Sequence, residues 1–371
     1  MKVTIEKKDL LPVVSHIYSI TERKSTIPIL LNIKIEAGDI LKFTATNIDI
    51  EIVEQAEASI LSKGGITVSA STLFEIVRRL PEGEVIMETI DSELHITAGK
   101  GEFSLPTLPV DDFPVMATGD IPFKFSVSPD DLIKLIDKTR FAVSTEEARY
   151  SLNGIYLHVA QLKNGNNAFR AVATDGHRLA LVDIDCPSGL SSSMPGIIIP
   201  SKLVSELRKL LDVTSSEIKI EASESKIRFS FGDIVITSKL IEGKFPNYEK
   251  VIPTSNDKVL ELDTKLFMTA VDRVSSVSGD KSKAVKLNIS RDGLKISANS
   301  PDSGSGKEEI GGTYNSDDSV EVGFNAKYLI DITNQIESAN VRFTIADSSS
   351  PALISEIDND SSLYVLMPMR I

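Results

Sequence analysis

The residues of this chain with the clearest chemical potential lie in the segment A-T-D-G-H-R-L-A, Ala173 to Ala180. Asp175 and His177 supply a carboxylate and an imidazole, which together with a serine could form a hydrolytic set. The sequence has no G-x-S-x-G motif that would supply the nucleophile. Asp-Gly between two apolar runs predicts a tight turn, because glycine tolerates a positive φ. A rigid turn that displays Thr, His and Arg beside a sheet is typical of a binding loop.

Other potential catalytic or ligand-binding motifs are incomplete. The segment G-S-G-K at 304–307 resembles a phosphate-binding loop, but Pro301 replaces its first glycine and Glu308 replaces the Ser or Thr that contacts Mg²⁺. The four histidines show no metal-ligand spacing, and the single cysteine, Cys186, excludes an internal disulfide. We therefore expect no metal, no cofactor and no enzyme activity; a hydrolase built on Asp175 and His177 is the enzyme alternative.

The composition of the 371 residues, with 41% apolar and 25% charged, is typical of a globular protein of two or three domains. No apolar run approaches the ~20 residues of a membrane span, and the start lacks a secretory signal. A single cysteine fits a reducing cytosol, so we expect a cytoplasmic protein without a membrane partner. The net charge of −13 argues against general nucleic-acid affinity when it is taken over the whole chain.

The elements that must position the turn follow from hydrophobic periodicity. Amphipathic stripes predict six helices, at 7–24, 71–80, 130–140, 201–211, 264–275 and 325–336. Thr72 and Glu75 match a capping box, and Ser128 with Pro129 matches a helix start. Alternation predicts strands at 2–5, 29–37, 40–46, 48–54, 66–69, 85–90, 94–97 and 102–105, then from 123, at 154–160, 169–173, 179–184, 197–199, 217–222, 226–231 and 234–238, and finally at 363–371.

This pattern of elements occurs three times. Leu73, Leu203 and Tyr328 hold similar positions in predicted helices, 130 and 125 residues apart, and such a period indicates triplication. We predict an α+β protein of three similar domains at 1–121, 122–252 and 253–371. Each domain is itself a doubled β-α-β-β-β unit.

Charge is sorted between the helices and the rest of the chain. The predicted helices hold 15 Lys and Arg against 9 Asp and Glu, whereas the remainder holds 25 against 44. Charged residues ordinarily cover the solvent face of any single helix, which is the simpler explanation. The separation of sign over the whole chain instead favours basic helices that face a polyanion, with acidic sheets that discourage binding elsewhere.

Several motifs together resemble one family over the full length. They are I-P-I-L near residue 28, F-S-L-P-T-L-P-V-D-D-F-P, R-Y-S-L-N-G, A-T-D-G-H-R-L-A, S-K-L-I-E-G-K-F-P-N-Y and the C-terminal Y-V-L-M-P-M-R-I. In this order and spacing the chain is similar to the bacterial sliding clamps, the beta subunits of DNA polymerase III. The resemblance implies the DNA-clamp fold and a ring-shaped head-to-tail homodimer, with helices lining the hole and sheets outside.

The resemblance also implies a function and partners. The chain is expected to be a processivity factor for DNA replication, a non-catalytic subunit of the DNA polymerase III holoenzyme that encircles double-stranded DNA without sequence specificity. Expected partners are a second copy of the chain, the polymerase catalytic subunit, the clamp loader complex and other clamp-motif proteins of replication and repair. The expected location is the cytoplasm, on the nucleoid. A peptide-binding scaffold that does not encircle DNA is the alternative.

The resemblance transfers site residues one by one. By resemblance, the DNA-facing positions are Lys24, Lys202 and Lys209. Arg79, from its helix face, and Arg208, from the exposed basic residues of the predicted helices, are added to them, whereas the third-domain helices carry little positive charge. The dimer interface maps to Phe103 and Leu105 facing Ser276 and Val277. The groove for partner peptides maps to Leu152, Thr174, Gly176, His177, Arg178, Leu179, Pro246, Lys250, Val251, Val365, Met367, Pro368, Met369 and Arg370.

Each of the most distinctive groove residues also has a structural interpretation. His177 could be a hydrogen-bonded structural histidine, and M-P-M-R could be the end of a last strand with alternating core residues.

Overall fold

The computed structural model describes residues 1–22, 24–117, 119–212, 214–279 and 283–370. All six predicted helices are present: α1 Lys7–Ile20, α2 Ala70–Arg79, α3 Pro129–Arg140, α4 Ser201–Leu211, α5 Thr264–Ser275 and α6 Ala326–Thr333. Arg23, in the first predicted helix, and Ile371, at the end of the last predicted strand, lie outside the described residues. Within the described ranges, no helix has both the length and the apolar character needed to cross a membrane.

Twenty-six strands separate these helices in the described chain. They are β1 Lys2–Glu6, β2 Asn32–Ala37, β3 Leu41–Thr46, β4 Ile50–Ala56, β5 Ser59–Ser62, β6 Gly64–Ser69, β7 Glu84–Ile90, β8 Glu93–Ala98, β9 Gly101–Leu108, β10 Phe123–Val127, β11 Gly154–Gln161, β12 Asn167–Thr174, β13 Arg178–Asp185, β14 Ile197–Pro200, β15 Ile218–Ala222, β16 Lys226–Phe231, β17 Ile234–Lys239, β18 Lys258–Asp263, β19 Ala284–Ser290, β20 Gly293–Ser300, β21 Gly304–Ile310, β22 Thr313–Tyr314, β23 Val320–Asn325, β24 Asn340–Ile345, β25 Ala352–Glu356 and β26 Ser362–Leu366.

The first of two compact units contains 1–130, 187–195 and 202–240. Its strands form one sheet in the order β10-β15-β16-β17-β4-β3-β2-β6-β9-β8-β7-β1-β5. The antiparallel pairing of β4 with β17, which places Val53 beside Val235, makes this sheet continuous across the predicted boundary at residue 121. Helices α1 and α2 pack on each other, and buried Leu10, Ile17 and Leu73 lie in the core beneath them.

The second unit contains 131–186, 196–201 and 241–371. One sheet has the order β14-β11-β12-β13-β26-β25-β24-β18-β22, and a second has the order β21-β20-β19-β23. Pairing of β13 with β26, which places Leu179 beside Val365, again joins strands from two predicted domains. The two compact units therefore correspond to the continuous sheets and not to the three predicted domains, because the strands of residues 122–252 are divided between the two units.

Three local predictions were wrong. The segment Pro28–Leu31 is a 3₁₀ helix, because Pro28 lacks the N–H of a strand and favours a helical first turn, so the strand begins at Asn32. The cap of α2 is Ser69, whose hydroxyl accepts a hydrogen bond from the Thr72 N–H, and the predicted box of Thr72 and Glu75 does not form. The last strand ends at Leu366 instead of running through the C-terminus. In addition, β5 was missed, because its exposed S-I-L-S has only two apolar residues.

Candidate functional site

The turn at Asp175–His177 connects β12 to β13 and is held by its own side chains. Thr174 Oγ1 donates to the Arg178 carbonyl at 2.7 Å and accepts from the Gly176 N–H at 3.1 Å. Asp175 Oδ1 accepts from the N–H groups of His177 and Arg178 at 2.9 and 3.0 Å. These four hydrogen bonds fix the turn without help from a ligand.

Gly176 is required at its position in this turn. Its φ is +88°, a conformation that residues with a Cβ rarely adopt. A Cβ there would also lie 2.8 Å from Nη1 of Arg149, which donates to the Asp175 carbonyl at 3.0 Å. The tight turn predicted from Asp-Gly is therefore present, and it depends on the positive φ of Gly176, as expected.

Arg178 fastens the turn to the surrounding elements. It is buried, and its guanidinium donates to Asp175 Oδ2 at 3.1 Å, to Asp331 Oδ2 at 2.6 Å and to the Phe141 carbonyl at 2.5 Å. The guanidinium carbon also lies 4.2 Å from the ring centre of Tyr328. Arg178 thus links the turn to α6 and to the chain just after α3.

A cavity of about 160 Å³ opens beside this turn. It is lined by nine predicted groove residues and by two that the sequence did not identify, Asn247 and Tyr248; the predicted nine are Leu152, Thr174, Gly176, Arg178, Leu179, Pro246, Val251, Val365 and Met367. Most of these side chains are apolar, and exposed Val251 and Met367 lie at its edge. An apolar concavity with a few fixed polar groups is typical of a ligand site.

Five predicted groove residues lie outside this lining: His177, Lys250, Pro368, Met369 and Arg370. His177 and Lys250 are exposed. The His177 ring contacts that of Tyr328, with ring centres 6.5 Å apart. Its imidazole forms no hydrogen bond with the described residues, so the alternative of a hydrogen-bonded structural histidine has no support in this part of the chain.

The C-terminal tail continues from the cavity onto another sheet. The Met367 N–H donates to the His177 carbonyl at 2.9 Å, which fixes the tail beside the turn. The Met369 N–H then donates to the Gly323 carbonyl of β23 at 2.8 Å. Arg370 consequently lines a second depression, described below. The alternating core strand suggested for M-P-M-R does not form, since Met367 is exposed and the strand has ended.

The floor of the cavity is a buried apolar cluster. Its members are Leu152, Val172, Leu179, Leu181, Ile198, Phe245, Tyr248 and Val365. Phe245 stacks on Tyr156, with ring centres 4.8 Å apart. Tyr248 belongs to the F-P-N-Y segment, so that motif contained the signal by which the missed residue could have been found.

A polar network lies behind Tyr248. Its hydroxyl contacts His158 Nε2 at 2.9 Å and accepts from Arg170 at 3.2 Å, and Arg170 forms two 2.7 Å hydrogen bonds with Asp183. His158 Nδ1 lies 3.0 Å from the Val159 carbonyl, which can only accept, so the proton resides on Nδ1 and Nε2 accepts from the tyrosine.

This network has shifted pKa values. Burial lowers the pKa of His158, and the nearby Arg170 charge acts in the same direction. Burial also raises the pKa of Tyr248, against the opposing effect of its hydrogen bond with Arg170. Both shifts keep these groups neutral beneath the cavity.

The predicted DNA-facing residues lie on or near helices of the first unit. Four of them have carboxylate partners: Arg79 with Glu75, Lys202 with Glu22 at 2.6 Å, Arg208 with Asp212, and Lys209 with Glu206 at 2.9 Å. Lys24 is exposed and has no ion pair within the described ranges. The pairs of Arg79 with Glu75 and of Lys202 with Glu22 are exposed on both sides, and such surface pairs contribute only about 0–1 kcal/mol, so a phosphate can replace the carboxylate. The Glu206 carboxylate is buried, so its pair with Lys209 is not of this exposed kind.

The predicted dimer residues differ in accessibility. Phe103 is 40% exposed on β9, and Ser276 and Val277 follow the end of α5 with Ser276 exposed. Leu105 is 2% exposed, so its side chain already lies in the core of its own unit. Of these four residues, Leu105 can add the least buried area on association.

No three His, Cys, Asp or Glu side chains come close enough to hold a metal ion in the part of the chain that the structure describes. The candidate functional residues comprise an apolar cavity beside a fixed turn in the second unit, and basic residues on or near helices of the first unit.

Comparison with known proteins identifies the family. Models of the N-terminal, central and C-terminal domains of the DNA polymerase III beta subunit match residues 1–117, 126–247 and 249–370. The chain is 44% identical to the beta sliding clamp of Caulobacter vibrioides and 34% identical to that of Escherichia coli K12, each over 100% of both chains.

Solved structures agree with the sequence relatives. A C. crescentus beta sliding clamp, described with PEG bound to a putative beta-motif tethering region, superposes with a TM-score of 0.96 at 44% identity. The sliding clamp from Bartonella birtlesii bound to griselimycin gives 0.97 at 44% identity, and both comparisons cover 100% of both chains. These matches confirm the predicted family, its α+β clamp domains and its replication role. The chain belongs to the DNA polymerase III beta subunit family, whose members are the non-catalytic sliding clamps of that polymerase.

Proposed function

We propose that two copies of this chain close head to tail into a ring around duplex DNA, and that the ring tethers the replicative polymerase and other clamp-motif proteins. Non-specific DNA affinity is typically ~10⁻⁴–10⁻⁶ M at physiological salt, which is too weak to hold a polymerase for long. Encirclement removes the need for tight contacts, because departure requires an opened ring or a DNA end. We also propose three domains, at 1–121, 122–252 and 253–371; the order of the three family-model matches, at 1–117, 126–247 and 249–370, supports this division.

Two open strand edges support the proposed dimer. Residues 101–106 of β9 pair with β8 on one side, whereas β6 reaches only Thr107 and Leu108 on the other. In the second unit β21 ends its sheet, and a Cβ added at Gly306 would lie 3.0 Å from Val277. The proposed contact residues Phe103 and Val277 therefore adjoin two unpaired edges, which readily pair with another chain.

Weak DNA contacts suit the proposed sliding. Lys24 has no ion pair with the residues that the structure describes, and Arg79 and Lys202 can exchange exposed carboxylates for phosphates as the duplex moves. Arg208 and Lys209 are proposed as further phosphate contacts. Phosphate contacts of this kind carry no sequence information. A clamp acting on the nucleoid would reside in the cytoplasm, which we propose as the location.

The apolar cavity beside the Asp175–His177 turn is the observation that carries the tethering proposal. Its backbone is fixed by hydrogen bonds, and its edge residues Val251 and Met367 are exposed in the absence of a partner. Aliphatic and aromatic side chains of a short partner peptide would bury these surfaces. His177, Lys250, Pro368, Met369 and Arg370 are proposed as the rim.

The experiment measures binding of a fluorescent clamp-motif peptide. Removal of 367–371, or Met367→Asp, is expected to abolish binding while the circular dichroism spectrum is retained. Leu61→Asp is the matched control, because Leu61 is also an exposed apolar residue but lies in the first unit. Unchanged affinity of the truncated protein would refute the groove assignment.

Encirclement is tested on nicked circular DNA. The loaded protein should remain on the circle and be lost after linearisation. Equal loss from both forms would favour the alternative, a peptide-binding scaffold that does not encircle DNA.

A further inference from the structure

The outward face of the sheet formed by β19, β20, β21 and β23 carries a depression of about 620 Å³. Its lining combines small residues with three cations: Ala284, Lys286, Ser297, Ala298, Asn299, Ser305, Gly306, Lys307 and Arg370. The strand register places Lys286 beside Ser297 and Ser297 beside Lys307. Two lysines on the same face thus flank one serine across three strands.

The charge of this depression is incompletely balanced. Lys286 pairs with Glu321 at 2.8 Å. Lys307 and Arg370 are exposed, and neither has an ion pair with the described residues. A chain that bears carboxylates is complementary in sign to these two cations.

The C-terminal tail runs from the proposed groove to this depression. Met367 lines the groove, Met369 bonds to Gly323, and Arg370 reaches the depression. Gly323 is also the β-sheet partner of Lys286. A peptide that leaves the groove along the tail would therefore approach Lys286 and Lys307.

We propose that this depression, defined by Lys286, Lys307 and Arg370, binds an acidic segment that flanks the anchoring residues of partner peptides. The inference rests on the proposed peptide groove. The proposed dimer would pair the backbone edge of β21, whereas the acidic segment would contact the side chains of Lys286, Lys307 and Arg370. The acidic flank would favour partners of one charge pattern over others that carry the same anchor.

The test compares three peptides with one common anchor motif. One carries three Asp residues before the motif, one carries them after it, and one carries Ser on both sides. At about 50 mM salt one of the two acidic peptides should bind about three- to tenfold more tightly than the Ser peptide, as expected for a few exposed ion pairs. This advantage should shrink as salt is raised.

Lys307→Gln should remove most of that advantage and leave the affinity for the Ser peptide unchanged. Lys295→Gln is the matched control, because Lys295 lies on the same face of β20 but outside the depression, beside Glu309. It should preserve the advantage.

The outcomes separate this inference from the groove on which it rests. If the Ser peptide fails to bind, the proposed groove is wrong. If the Ser peptide binds but neither acidic flank adds affinity, or if Lys307→Gln and Lys295→Gln act alike, the acidic-segment inference is overturned and the groove stands. If Lys307→Gln weakens retention on DNA but not peptide binding, the acidic-segment inference is also overturned, and Lys307 is instead a DNA contact.

Discussion

Neighbouring residues of the turn, Arg178 and His177, are expected to have separable roles. Arg178→Lys keeps the charge but loses the guanidinium fork that reaches Asp175, Asp331 and the Phe141 carbonyl. A lysine can satisfy at most one or two of these acceptors. Each poorly solvated acceptor left without its partner costs about 1–3 kcal/mol, and Asp331 is the least affected because its side chain is 25% exposed. We expect a loss of about 2–4 kcal/mol.

Hydrogen exchange across 167–185, together with urea unfolding, measures this loss. His177→Ala should alter local stability by less than ~0.5 kcal/mol, since its exposed imidazole makes only a ring contact among the described residues. It should nevertheless weaken peptide binding. Wild-type protection in Arg178→Lys would refute the fastening role, and a loss above ~1 kcal/mol in His177→Ala would restore the structural interpretation of that histidine.

Three further predictions follow from local geometry. Burial holds the pKa of His158 below its ordinary 6.5, so the unfolded chain takes up a proton at a higher pH than the folded chain does. The contribution of His158 to stability is therefore full above pH 6.5 and falls as the pH drops toward the folded pKa. His158→Gln should flatten this fall, measured as the urea midpoint between pH 7.5 and 5.5. An equal slope in the variant would contradict the network. Ile48 has a φ of +79° and is 45% exposed, so Ile48→Gly should raise stability by about 0.5–1 kcal/mol, and an unchanged urea midpoint would show no strain. Lys24→Glu should lower the salt dependence of DNA binding by about one phosphate contact. The same change at Lys63, which is exposed between β5 and β6, should leave the salt dependence unchanged.

Helices could be predicted from the sequence because each buries a clear apolar stripe. Leu203, Leu207 and Leu210 are all nearly inaccessible in α4, as their spacing requires. The failures occurred where local chemistry overrides periodicity. Pro28 converts an apolar run into a 3₁₀ turn, and Ser69 caps α2 from a position that ends a strand.

The candidate site was predictable only in part from the residues themselves. The Asp-Gly pair identified the turn, because its backbone requirement is local. The cavity depends on Leu152, Tyr248 and Val365, which lie far apart in sequence and meet only through strand pairing. Leu152 and Val365 were assigned by family resemblance, whereas Tyr248 was missed. The network of Arg170 and His158 carries no sequence signal, since its hydrogen bonds depend on tertiary placement.

The internal repeat shows which part of the site belongs to the fold. In the first unit Thr46 Oγ1 donates to the Ile50 carbonyl at 2.9 Å and accepts from the Ile48 N–H at 3.0 Å. Thr174 makes the same two bonds in the Asp175–His177 turn. The neighbouring strand is matched as well, because the Lys239 N–H at the end of β17 donates to the Asp49 carbonyl, as the Met367 N–H after β26 donates to the His177 carbonyl.

The two turns share a backbone but not a set of side chains. T-N-I-D-I stands where the other repeat has T-D-G-H-R, so an isoleucine occupies the positive-φ position that Gly176 holds without strain. Beside the second turn, eight buried residues form the apolar floor of the cavity. Because the backbone is common to both turns, we attribute the proposed peptide binding to the side chains of the second turn and to the apolar cluster beneath it. Replacing T-N-I-D-I by T-D-G-H-R should therefore preserve the fold of the first turn without creating a second peptide site.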